Sequence, residues 1–223
     1  MEDAPLTPSR PATAQTLLVA FGSLCVLLAP HFGVPMFLYP LLGLGLCAGM
    51  LRYQRLGFAD IGFRWRALGL VPLLVGGTLG VAYAMANYAA IGPMLARLLG
   101  EPPDLSSFDF VRAHLSGYLI ALALAWVIGG FYEELVFRGF LQAMLLRHLP
   151  AWRGRPVVAT TLVVLLFAAY HLQLGAFGVA NALVFAVFAA AVRQRWPNNL
   201  WYVISFHACA DMTAFTLMHL GYL

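Results

Sequence analysis

Long apolar runs, separated by short connections rich in arginine, proline and glycine, occupy almost the whole chain. A helix needs about 20 apolar residues to cross a hydrocarbon core of about 30 Å. The pattern predicts membrane segments over residues 15–30, 34–51, 67–97, 113–148, 157–174, 176–192 and 198–221. The expected fold is therefore all-α, a polytopic transmembrane helical bundle of about seven to eight spans. The run 113–148 would extend ~54 Å as one straight helix, so it must tilt, protrude or break, and Gly129-Gly130 is the natural place to bend. Residues 1–14 read as a flexible tail, with Glu2 and Asp3 in place of the basic start of a signal peptide. Residues 15–223 read as a single transmembrane domain whose motif-bearing core is about 113–215.

Composition agrees with the pattern: 62% of the 223 residues are hydrophobic, 10% are charged, and the mean hydropathy is +0.83. Soluble domains do not have such values. All 13 basic residues are arginine, and apart from Arg10 in the tail and Arg138 within the 113–148 run they lie in or at the short connections, where the net charge of +4 reflects membrane topology and does not imply a nucleic-acid partner. Arg10, Arg52, Arg55, Arg64, Arg66, Arg147, Arg153, Arg155, Arg193 and Arg195 fall on one side of the predicted spans; Arg97 and Arg112 fall on the other, beside Glu101, Asp104 and Asp109. This asymmetry predicts an N-terminus inside, and Trp65, Trp152, Trp196 and Trp201 sit near the same boundary; the expected location is that of an integral protein of the bacterial inner membrane. Cys25, Cys47 and Cys209 lie within apolar runs without metal-ligand spacing and read as small core residues.

Against this background a few polar side chains stand out, because an ionisable group near a bilayer centre costs about 2.5–3.5 kcal/mol on insertion scales. They form three clusters: Glu133, Glu134 and Arg138; His171; and His207 with Asp211. With the inner boundary placed near Arg147, Val157 and Asn198, Glu133 and His171 each lie ~21 Å deep, His207 ~14 Å and Asp211 ~20 Å, so three helices bring their polar groups to one layer. Glu134 and Arg138 are four residues apart and suited to an ion pair, which reads either as part of the chemistry or as a packing element. Glu133 is displaced by about 140° from Arg138 and is the carboxylate left for activating water. His171 would share that proton, orient the water or protonate the leaving amine. In the reading by spacing, Asp211 fixes the His207 imidazole, which donates to a developing oxyanion. The same residues also suit interhelical hydrogen bonds or a proton relay. Tyr, Phe and Met residues elsewhere in the spans read as packing or lipid-facing positions.

The runs Glu133-Glu-Leu-Val-Phe-Arg138, Phe167-Ala-Ala-Tyr-His171 and His207-Ala-Cys-Ala-Asp211 resemble, in order and spacing, the EExxxR, FxxxH and HxxxN/D motifs of the CAAX protease and bacteriocin-processing (CPBP, Abi) family. The resemblance implies an intramembrane endopeptidase of about eight helices acting on a membrane-associated or lipidated protein or peptide. In it, Glu133 and His171 activate water, His207 and Asp211 stabilise the oxyanion, and Glu134 and Arg138 support them. Asp211 stands where asparagine is common, and an ionised aspartate donates no hydrogen bond. A glutamate with two histidines is also a plausible zinc set. No HExxH motif is present, so a glutamate-type protease without tightly held zinc or other cofactor is expected. The alternative is a non-catalytic bacteriocin-immunity membrane protein or a proton-coupled transporter, although no internal repeat is visible.

Overall fold

The computed structural model describes residues 13–35 and 38–223. Apart from Thr13 and Ala14, the predicted tail, with Glu2, Asp3 and Arg10, lies outside the described residues. The chain is all-α, with no strand among the described residues. Its principal helices are α1 (Thr13–Leu28), α2 (Leu38–Tyr53), α3 (Leu70–Leu99), α4 (Leu115–His148), α5 (Arg155–Tyr170), α6 (Gly175–Arg195) and α7 (Trp201–His219). By length and composition, α3, α4 and the run Leu172–Arg195 are each long and apolar enough to cross a membrane. Phe21, Leu41, Leu74, Leu98, Leu119 and Val157 point out of the bundle. Exposed apolar side chains on so many helices suit a lipid solvent, and the protein is an integral membrane protein.

Side-chain contacts tie the two ends of the bundle. At one end Thr16 Oγ1 and His148 Nδ1 are 2.9 Å apart, joining the start of α1 to the close of α4. At the same end Arg193 acts as a structural clasp, which goes beyond the loop charge expected of it. Its Nε donates to the Arg138 carbonyl at 3.1 Å, its Nη2 to the Ile61 carbonyl at 3.1 Å, and its Nη1 to the Pro197 carbonyl. Gly62 meets this clasp with φ +93°, and an added Cβ would lie 3.0 Å from Arg193 Nη2, so both conformation and space require glycine there. At the opposite end His219 Nδ1 bonds the Val111 carbonyl at 2.9 Å, and Arg112 Nη2 bonds the Leu223 carbonyl at 3.0 Å.

Three expectations change. The 113–148 segment begins after a short helix, Asp109–Ala113, and from Leu115 it continues as helix to His148 without breaking at Gly129-Gly130. Its centre instead widens into π-helix over Ala125–Glu133 and Leu135–Leu141. Such segments are rare and recur at functional sites. The 157–174 segment stops at Tyr170, and the chain reverses through Gly175 at φ +70° before α6. Trp201 is buried rather than interfacial: its Nε1 donates to the Arg64 carbonyl at 3.0 Å, and its ring packs on Phe63 at 5.4 Å. Trp65 and Trp152 are exposed, as a boundary position allows.

Glycines set the spacing of the central helices. On α3, Gly76 and Gly80 form a small-xxx-small pair against α7: a Cβ on Gly76 would strike the Tyr202 carbonyl oxygen, and one on Gly80 would strike that of Phe206. On α4, a Cβ at Gly130 would lie 2.8 Å from the Ile204 carbonyl oxygen and 2.9 Å from Ala208 Cβ. Backbone atoms yield little, so Gly80→Ala is expected to cost about 1–3 kcal/mol, lowering the thermal midpoint in detergent by roughly 2–10 °C. Gly49→Ala is the control. It faces nothing within 4 Å and sits in α2, where alanine is the better helix former, so its midpoint should hold or rise slightly.

Candidate active site

The centre of the bundle holds one polar cluster, built mainly by α4 and α7. Glu133, Glu134, Arg138 and His207 are all buried. Arg138 Nη1 donates to Glu134 Oε1 at 3.0 Å, the i,i+4 pair expected from spacing. The same oxygen lies 2.6 Å from His207 Nδ1. Facing a carboxylate already bound to a guanidinium, Nδ1 carries the proton and donates. Glu134 is thus the residue that orients His207, the part assigned to Asp211 by spacing. The reason is geometric: His207 turns Nδ1 inward to α4 and leaves Nε2 facing Glu133 Oε2 at 3.9 Å and Asp211 Oδ2 at 3.5 Å.

Aromatic rings close the site from α5 and α6. Arg138 Cζ sits 4.1 Å from the centroid of Phe167, a cation–π contact in a dry setting. Phe185 lies against His207 with centroids 4.4 Å apart. Neither ring is the generic packing residue that the sequence suggested. Phe167 is legible as the first residue of its motif; Phe185 has no such signal. Beside Glu133 stand Tyr39, Tyr132 and Tyr170, with Tyr39 and Tyr132 centroids 5.5 Å apart.

His171 is placed differently from the rest. Its Nδ1 donates to the Phe167 carbonyl at 2.8 Å, which fixes the tautomer and leaves Nε2 with a free lone pair. It makes no hydrogen bond or ion pair with Glu133 or His207; the Phe167 ring packs on both histidines, with its centroid 4.7 Å from that of His171 and 6.0 Å from that of His207. Glu133 makes no hydrogen bond among the described residues and retains its acceptor capacity. A Cβ at Gly129 would meet Asp211 Oδ2 and lie 3.3 Å from His207 Nε2, so the absent side chain makes room beside Nε2. Among the described residues no group of three or more His, Cys, Asp or Glu side chains is arranged to hold a metal ion. Cys209 and Cys25 are half-buried free thiols and Cys47 a buried one.

This constellation lies within a segment that has known relatives. Residues 115–213 match the family model described as type II CAAX prenyl endopeptidase Rce1-like. All three motifs fall inside the matched segment, so their resemblance to CAAX proteases is shown there. The match supports an endopeptidase of CAAX type with a protein substrate in a membrane setting. No curated protein and no solved structure matches the chain.

The geometry separates residues that hold the Rce1-like site together from those that are free to react. Removing Arg138 strands a buried carboxylate, whereas Glu133 makes no hydrogen bond among the described residues and has only the distant His207 Nε2, at 3.9 Å, as a partner. Arg138→Met is expected to destabilise by about 3–5 kcal/mol, and Glu133→Gln by less than about 0.5 kcal/mol, in thermal unfolding of the detergent-solubilised protein. Adding Glu134→Gln to Arg138→Met should recover part of the loss, because the uncompensated charge is then gone.

Proposed function

We propose that the protein is a glutamate-type intramembrane endopeptidase that hydrolyses a peptide bond of a membrane-associated or lipidated protein, without a metal or other cofactor. The observation that carries this reading is the division of labour between adjacent carboxylates: Glu134 Oε1 is held by hydrogen bonds from Arg138 and His207, and Glu133 carries no hydrogen bond among the described residues and lies 3.9 Å from His207 Nε2. Glu133 takes a proton from water as the oxygen attacks the scissile carbonyl. His171 Nε2, its ring fixed through Nδ1, helps to orient that water. The carbonyl oxygen, now negative, accepts a hydrogen bond from Nε2–H of a protonated His207 whose position Glu134 sets. Asp211 Oδ2, 3.5 Å from Nε2, favours the imidazolium and so serves the oxyanion indirectly. The C–N bond then breaks, and the proton held by Glu133 passes to the leaving amine.

The arginine-rich end supports an orientation with the N-terminus in the cytoplasm of a bacterial inner membrane. Arg52, Arg55, Arg64, Arg66, Arg147, Arg153 and Arg155 join Arg193 and Arg195 there, on loops tied together by the Thr16–His148 and Arg193 contacts.

Membrane peptide profiles of cells carrying wild-type protein or Glu133→Gln test the reading. General-base catalysis contributes about 10²–10⁴-fold, so a processed peptide should disappear in the variant at equal protein level. Indistinguishable profiles would move an immunity or transport role ahead of proteolysis.

A further inference from the structure

Two polar side chains outside the three motifs sit one helical turn from the site. Asn87 on α3 donates from Nδ2 to Asn181 Oδ1 on α6 at 2.6 Å and to the Tyr83 hydroxyl at 3.2 Å. Both asparagines are half-buried. Tyr83 packs on Phe185 at 5.4 Å, and Phe185 packs on His207 at 4.4 Å. Asn87 follows Tyr83 by four residues and Asn181 precedes Phe185 by four. The pair is therefore displaced by one turn, about 5.4 Å, from the rings that touch His207, toward the end of the bundle opposite the arginine-rich loops.

Exposure shows that this is the direction in which the site opens. Side-chain exposure is 0% at Glu134, 6% at His207, 11% at Glu133 and 34% at Asp211, one turn beyond His207 on α7. Tyr83 lies within electrostatic reach of Asp211. A chain approaching His207 from the open side passes the asparagine pair.

The hydrogen bonds between the asparagines leave a defined remainder. Both Asn87 Nδ2 protons are used and its Oδ1 is not; Asn181 Oδ1 is used and its Nδ2 is not. One free acceptor and one free donor side by side match the N–H and C=O of a single residue in an extended chain, which point to the same side. A peptide must be extended to be cut, and in a membrane each unpaired backbone group costs several kcal/mol.

We infer that Asn87 and Asn181 bind the main chain of the substrate about two residues from the scissile bond. The spacing follows from one turn of ~5.4 Å against ~3.3–3.6 Å per extended residue. The assignment rests on the endopeptidase reading and adds a sequence-tolerant substrate subsite to it, formed by α3 and α6.

The test uses a quenched fluorescent peptide carrying a prenylated C-terminal tail, and a series of the same peptide N-methylated at successive backbone positions. With the full-length protein in detergent, Asn181→Ala and Asn87→Ala should each raise KM roughly fivefold to thirtyfold with kcat within about twofold. N-methylation about two residues from the scissile bond should weaken cleavage by wild type, and Asn87→Ala should be insensitive to that methyl group. A merely structural interhelical bond predicts no such coupling. If Asn87→Ala does not accumulate, Asn181→Ala and Asn87→Gln carry the KM comparison. Unchanged KM in folded variants, or equal methylation profiles for wild type and Asn87→Ala, overturns the subsite alone. No difference between wild type and Glu133→Gln on the unmethylated peptide overturns the peptidase reading and the subsite with it.

Discussion

One carboxylate oxygen organises the centre of this protein. Glu134 Oε1 accepts from Arg138 on its own helix and from His207 on α7, inside a bundle whose other contacts are mostly apolar. A carboxylate, a guanidinium and an imidazole are each unfavourable there alone; joined through one atom, they offset much of one another's desolvation. The arrangement cannot shift far, because moving α7 away would leave the His207 imidazole without its partner and take one of two donors from the buried Glu134 carboxylate. It also decides which imidazole nitrogen faces the reacting side, and so the order of the site follows from a structural bond.

That bond demands close helices, and the glycines supply them. Gly130 brings α4 against Ile204 and Ala208, and Gly76 and Gly80 bring α3 against Tyr202 and Phe206. In lipid there is little hydrophobic gain in pressing one apolar helix on another, so small residues and interhelical polar contacts carry the association. The π-helical stretches of α4 carry Glu133 and Arg138 and flank Glu134 on both sides.

Much of this was legible in the sequence. The apolar runs marked the helices to within a few residues, because membrane length leaves a helix little freedom. Depth counting put Glu133, His171, His207 and Asp211 in one layer, and the structure brings Glu133, His207 and Asp211 together; the Glu134–Arg138 pair followed from its four-residue spacing. Less legible was which groups pair across helices: rotation about each axis decides whether Glu134 or Asp211 reaches His207, and no periodicity reports it. The π-helical turns shift that rotation further. Glu133 and His171 were expected to act on one water; in the structure His171 bonds the Phe167 carbonyl and packs on its ring, and makes no direct hydrogen bond with Glu133. Two signals were readable but unread. Gly76 and Gly80 have the spacing of a close helix crossing, and Asn87 and Asn181 are isolated polar residues in apolar runs, as conspicuous on physical grounds as the histidines.

The gradient of exposure from Glu134 to Asp211 bears on how hydrolysis proceeds in a bundle made to exclude water. A charge pair deep in the protein keeps its strength because no solvent screens it. A reaction that consumes water needs the opposite condition at its reacting atoms. The site meets both by separating them along α7: Nδ1 of His207 faces the dry pair on α4, and Nε2 faces the more open side with Glu133 and Asp211. A single imidazole ring therefore spans the boundary between the part of the site that must stay dry and the part that must admit substrate. This is why its tautomer, set by Glu134, matters more to the arrangement than the identity of the residue four positions on.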